Sequence, residues 1–172
     1  MAVIRSGSGG GGGGGMVWHP LDGSGPAAVE ENGELTYQFA DTLTQKLRVF
    51  MKVPTSYSAG SLIKLKVAQY SPGVSSGTML FTTTATLIRV AIDAVSSVTN
   101  QRVSTNTAIT VSATANRYEE AICDLTDATG HINAVSVSHG DIILIEVTRN
   151  TAVDTDTNDI RLLPSATEVT FS

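Results

Sequence analysis

Apolar and polar positions begin to alternate near Leu35, and the alternation recurs through the rest of the chain. In LTYQFADTL, Leu35, Tyr37 and Phe39 fall on one face. QKLRVFMKVP sets Leu47, Val49 and Met51 against Lys46, Arg48, Phe50 and Lys52. Pro54 stops that ladder, because it has no N–H to donate. SLIKLKVAQY turns Ile63, Leu65, Val67 and Gln69 one way and Leu62, Lys64, Lys66 and Ala68 the other. A period of two marks a strand with one buried side, and the two lysines mark the wet side. TMLFTTTATLIRVAI is a long Thr-rich segment with Met79, Phe81 and Thr83 in phase, and DAVSSVTNQRVSTN reads as a loop. TAITVSATANRYEEAICDL holds two strands. Ile109, Val111 and Ala113 face inward in the first; Tyr118, Ala121, Ile122 and Leu125 pack less regularly in the second. TDATGHINAVSVSHGD reads as another loop, with room for a short helical turn. The continuous apolar run from Ile142 to Ile145 predicts a central strand buried on both faces. IRLLPSATEVTFS is a final strand broken at Pro164.

Seven or eight strands with no helical periodicity predict an all-β fold, an antiparallel β-sandwich in which each sheet buries one face. From Leu35 onward no Asn-Gly pair marks a two-residue hairpin, and several connections are long. Both features favour a jelly roll over an up-and-down barrel. Composition agrees: charged residues are only 16%, with Thr, Ser, Val and Ala in their place. β-Branched side chains lose rotamer freedom in a helix and pack well on a pleated surface.

Residues 1–33 read differently from 34–172, the predicted sandwich domain. MAVIR is a short apolar stub; SGSGGGGGGG follows, and then turn formers through Gly33. An extended Gly-rich N-terminal arm is expected here. A free glycine run is a flexible coil, and ordering it costs about 1–2 kcal/mol per residue. The run fits a joining scar ahead of a natural start at Met16, or a native arm. Polyglycine has no side chains, so an arm of it can lie in a narrow groove or add to an exposed sheet edge. On the arm reading Met1, Ala2, Val3, Ile4 and Arg5 are partner contacts. Val3 and Ile4 would enter an apolar pocket and Arg5 would meet a carboxylate. Gly9, Gly12 and Gly15 mark the path. Trp18, the only tryptophan, either packs the arm onto the domain or touches a neighbouring chain.

Candidate chemistry is thin. The net charge of −5 argues against nucleic acid, which takes basic stripes. No apolar run reaches membrane-spanning length. The lone Cys123 lies in AICDL, away from any cation, and reads as a buried small hydrophobe. His19, His131 and His139 are too scattered for a zinc site. Asp154, Asp156, Asn158 and Asp159 form the best metal candidate. They match the first positions of a calcium loop, but Asp159 and Ser165 stand where its Gly and Glu belong. A calcium site between strands is weighed here against a solvated turn held by Asx hydrogen bonds. Glu119 and Glu120 point to opposite faces of a strand, so they are no acid/base pair. An acidic pair drawn from distant strands stays open. There is no phosphate loop. No catalytic residue and no cofactor are expected, and the chain reads as a structural or binding protein. Aromatics make up only 5%, few for a surface that stacks on sugar rings.

Three stretches together resemble a group of tailed-bacteriophage virion proteins with a jelly-roll domain. They are WHP…ELTYQFADT, KVPTSYSAGSLIKLKVAQYSPGVSSGTM and HGDIILIEVTRNTAVDTDTNDIRLLPSATEVTF. In the last, a Gly140-Asp141 entry, a strand ending in Arg149, the Asp154-Thr155 loop and a final strand recur as a set. The likeness covers roughly residues 16–172 and leaves out the glycine arm. It implies a capsid decoration (cement) protein on the outer surface of the virion, made in the bacterial cytoplasm. Its implied partners are the major capsid protein and further copies of itself, as a homotrimer. No catalytic residue comes with the resemblance. The alternative is a tail-fibre or head-fibre module that binds a receptor or glycan.

Overall fold

The computed structural model describes residues 2–5, 16–21, 23–74, 76–89 and 100–172. In chain order its strands are β1 (Ala2–Arg5), β2 (Trp18–Pro20), β3 (Ala27–Glu31), β4 (Glu34–Phe39), β5 (Lys46–Lys52), β6 (Ile63–Tyr70), β7 (Thr78–Met79) and β8 (Phe81–Ile88). They continue as β9 (Gln101–Thr105), β10 (Ile109–Thr110), β11 (Glu119–Asp124), β12 (His131–Ile132), β13 (Val135–Ser136), β14 (Ile142–Arg149), β15 (Ile160–Leu162) and β16 (Glu168–Phe171). One short 3-10 turn, Pro164–Ala166, separates β15 from β16. The sequence breaks the last strand at that proline for the same reason: its ring removes a ladder donor.

Both β15 and β16 run antiparallel to β6, so they act as one interrupted strand. The principal strands are then β4, β5, β6, β8, β9, β11, β14 and β15–β16. The first pairs the last, β5 pairs β14, β6 pairs β11 and β8 pairs β9. The nested pairs close into two sheets through β6 against β15–β16 and β14 against β8. This is an antiparallel β-sandwich with jelly-roll wrapping. β3 extends one sheet beyond β4, and β2 extends the other beyond β5.

The inner faces follow the period of two. Ile63, Leu65 and Val67 of β6 face Leu47, Val49 and Met51 of β5 and Ile143, Ile145 and Val147 of β14 across a dry core. Phe39 and Phe81 meet edge to face at 5.7 Å, one from each sheet. Cys123 is fully buried, and burial first of all pushes its thiol up to about 12. β14 is central, flanked by β5 and β8. Its outer face is half-buried rather than dry, because every second residue points to solvent.

Further readings of the sequence need correction. The boundary at residue 33 cuts a hairpin, since Asn32 (φ 54°) and Gly33 (φ 80°) form the two-residue turn joining β3 to β4. Positive φ at both central positions gives the tight turn whose twist matches its strands, and Asn-Gly is its preferred pair. Residues 16–31 belong to the sandwich, with Met16 and Trp18 buried in its core. Second, the stretch read as a loop before Thr107 contains β9, an edge strand. Third, Ala113 is exposed, and β10 is only two residues long. The loop after Leu125 holds no helical turn. It holds an Asx turn at Asp127 and the small β12–β13 hairpin, whose turn residues Asn133 and Ala134 both have positive φ.

Candidate functional site

Register places a group of side chains on the outer face of the β3–β4–β15–β6–β11 sheet. Tyr37, Phe39, Leu162 and Ala121 point inward, so Glu34, Thr36, Leu163 and Tyr118 point outward. Tyr70 and Glu31 share that outer face by pairing: Tyr70 lies opposite Arg161, and Glu31 opposite Glu34. These residues, with Asn32 and Asn116, line an open cleft of about 260 Å³. Thr36 and Tyr70 are nearly covered and form its floor, while Tyr118, 46% exposed, stands at one wall.

Hydrogen bonds hold the lining in place. Tyr70 Oη and Arg161 Nη1 both donate to Glu31 Oε2. Burial, and then the Glu31 carboxylate, pushes the Tyr70 phenol up. Tyr118 Oη donates to Glu120 Oε1 at 2.9 Å. Burial, followed by that carboxylate, pushes its phenol up to about 12. Both phenols stay protonated at ordinary pH. Thr36 Oγ1 donates to Val29 O at 2.9 Å. Asn116 sits at φ 61° and donates its backbone N–H to Ser71 O at 2.8 Å. The cleft thus offers a fixed aromatic face, acidic and amide oxygens, and amide donors.

The residues singled out from sequence lie elsewhere. Asp154, Asp156, Asn158 and Asp159 do not converge as metal ligands. Their loop closes on Arg149, whose side chain is fully buried at the inward end of β14. Arg149 Nε and Nη2 donate to the two carboxylate oxygens of Asp154 at 2.8 and 3.1 Å. Nη1 donates to Asn158 O at 2.6 Å and Phe39 O at 3.4 Å, and Nη2 to Asp156 O at 2.5 Å. The guanidinium takes the place a cation would fill. Asp156 Oδ1 accepts from Asn158 N at 3.1 Å, and Asp159 Oδ2 from Gln38 Nε2 at 2.6 Å. Among the described residues no group of three or more His, Cys, Asp or Glu gathers for a metal.

Ala2–Arg5 form β1, which pairs with β16 of the same chain. Met1, Gly9, Gly12 and Gly15 lie outside the described residues. Trp18 is 6% exposed and pairs with Val49, so of its two readings the structure agrees with packing onto its own domain and not with contact to a neighbouring chain. Glu119 and Glu120 diverge as expected: Glu119 accepts from the buried Gln69 at 3.0 Å, Glu120 from Tyr118.

No family model matches the chain, and no curated protein does. Among solved structures it is similar to TmCBM61 in complex with beta-1,4-galactotriose, at 8% identity and a TM-score of 0.40, over 91% of this chain and 88% of that one. It is similar to CBM35 from Cellvibrio japonicus Abf62 at 6% identity and a TM-score of 0.41, over 91% and 97% of the two chains. A variant of CBM29-2, a family 29 carbohydrate binding module, aligns at 11% identity and a TM-score of 0.40, over 98% and 89%.

Proposed function

We propose that the chain is a non-catalytic binding module whose outer-face cleft takes a neutral saccharide. The observation that carries this reading is the Tyr118 ring, exposed at the cleft wall beside Tyr70 and bordered by carboxylates and amides. A sugar ring presents axial C–H groups to an aromatic face and hydroxyls around its edge. Tyr118 suits the first, and Glu34, Asn32 and Asn116 suit the second. Glu31 is already engaged by Arg161 and Tyr70, which favours holding a ligand over acid/base work on one. Calorimetric titration with neutral gluco-, galacto-, manno- and xylo-oligosaccharides tests the reading. At least one should bind, and Tyr118→Ala should weaken it about tenfold or more, the equivalent of ~1.4 kcal/mol, with the thermal midpoint nearly unchanged. A wild-type protein that binds none of them at millimolar concentration sinks it.

A second reading keeps the virion role implied by the resemblance, with the major capsid protein and further copies of the chain as partners. The observation favouring it is β1, a strand that completes a sheet edge and is joined to the domain by the glycine-rich residues 6–15. Edge pairing of this kind is how separate chains join through backbone hydrogen bonds. Co-sedimentation with expanded capsid shells checks it. The full chain should pellet with them and a chain lacking residues 1–15 should not; a full chain left in the supernatant rules it out.

A further inference from the structure

The edge that β1 covers is a built slot. On one side β16 pairs with β6 along its whole length, from Glu168 opposite Lys66 to Phe171 opposite Ile63. On the other side β4 reaches only β15, where Phe39, Gln38 and Tyr37 lie opposite Ile160, Arg161 and Leu162. Beyond that point the edge of β16 has four residues to pair, and β1 supplies four: Ala2 opposite Phe171, Val3 opposite Thr170, Ile4 opposite Val169 and Arg5 opposite Glu168. An edge left open presents unpaired N–H and C=O groups to any strand that fits.

The covalent geometry does not tie this strand to its own domain. Its anchor point is Met16, buried in the core beside β2, which extends the opposite sheet. Ten residues, 6–15, separate Arg5 from Met16. Fully extended they span up to about 36–40 Å, against about 10 Å between packed sheets. That length also matches the diameter of a domain of this size, about 30–40 Å from its expected radius of gyration. The same four residues can therefore reach the slot of an adjacent molecule. The register and backbone bonds are the same whether the strand comes from its own chain or another, so the choice is set by concentration. Tethering gives the home strand an effective concentration in the millimolar range. A packed array of copies reaches that range too.

We propose that the edge of β16 covered by β1 is a strand-exchange site, filled by Ala2–Arg5 of a second copy of this chain when copies are held close together. The exchange makes and breaks the same backbone hydrogen bonds, which is why swapping an identical element is a low-cost route to an oligomer. It stands apart from the saccharide reading, since no residue lining the cleft belongs to β1 or β16 and the cleft needs no partner copy.

Paired cysteines test this with purified protein alone. Directly opposed antiparallel residues lie about 4.5–5.5 Å apart at Cα, within the span of a disulfide. Val3→Cys and Thr170→Cys are made in separate chains carrying tags of different mass, mixed at high concentration and oxidised. Thr170 is only 4% exposed, so a chance collision does not bridge it, and the native Cys123 is fully buried. The double variant in one chain serves as the reference. A crosslinked heterodimer that grows with protein concentration is the expected result. If the double variant closes within its own chain and the mixture never crosslinks, the strand serves its own domain only and the proposal is overturned. If neither crosslinks, β1 does not occupy the slot, and the proposal is equally overturned. None of these outcomes depends on saccharide or capsid binding.

Discussion

Arg149→Met should lower the stability of the domain by about 3–5 kcal/mol, the usual cost of removing one partner of a buried ion pair. For a chain of this length each kcal/mol shifts the melting midpoint by roughly 2–4 °C, so a fall of about 6–20 °C is expected. Methionine fills much of the volume, and so the loss is electrostatic. The Asp154 carboxylate has 1% side-chain exposure and would be left without its counter-ion. The carbonyls of Phe39, Asp156 and Asn158 would lose their donor in the same step. Lysine at 149 keeps the charge but not the planar fork that serves both carboxylate oxygens, so it should recover only part of the loss. Pairing Arg149→Met with Asp154→Leu removes both charges, and the double variant should be more stable than the sum of the single losses. Urea unfolding of the wild type, Arg149→Met, Arg149→Lys, Asp154→Leu and the double variant measures this directly. A single Arg149→Met loss below about 1 kcal/mol would mean that the loop is not held by the guanidinium.

This network also shows what the sequence disclosed and what it concealed. Ile143, Ile145, Val147 and Arg149 share one phase in β14, so an arginine at an inward position was readable. An inward arginine needs an acceptor set, and the acidic loop five residues on supplies it. Read alone, alternating acids look like metal ligands. Read with the strand before them, they answer a cation already in the chain. β5, β6 and β14 were legible because a two-sheet core imposes a strict period of two on their apolar residues. β9 was not, because it is a polar edge strand with little to bury and carries no such signal. β2 and β3 were hidden by neighbouring turn residues, although Asn32-Gly33 is itself a hairpin signal. The cleft had no sequence signature. Glu31 and Thr36 come from the β3–β4 hairpin, and only the jelly-roll wrapping brings Tyr70, Tyr118 and Leu163 to the same face beside them.

Phe39→Ala should cost about 3–5 kcal/mol as well, by a different mechanism. Phe39 is fully buried at the end of β4, and its ring meets Phe81 at the start of β8 with an interplanar angle of 73°. One ring belongs to each sheet, so the contact spans the core between them. Truncation removes the transfer energy of the ring and leaves a cavity that rigid strands on both sides cannot close. The backbone carbonyl of Phe39, which accepts from Arg149, is untouched by the change. Packing and network are therefore separable: Phe39→Ala combined with Arg149→Met should be close to additive if only the ring matters at this position. Phe39→Ala combined with Phe81→Ala should fall short of additive by about 0.5–1.5 kcal/mol, the coupling of an edge-to-face pair. Equilibrium urea unfolding decides it, with an unchanged m-value expected for each single variant. A Phe39→Ala loss under about 1 kcal/mol would show that the space between the sheets refills, and that the jelly roll does not depend on this ring pair to hold its two sheets together.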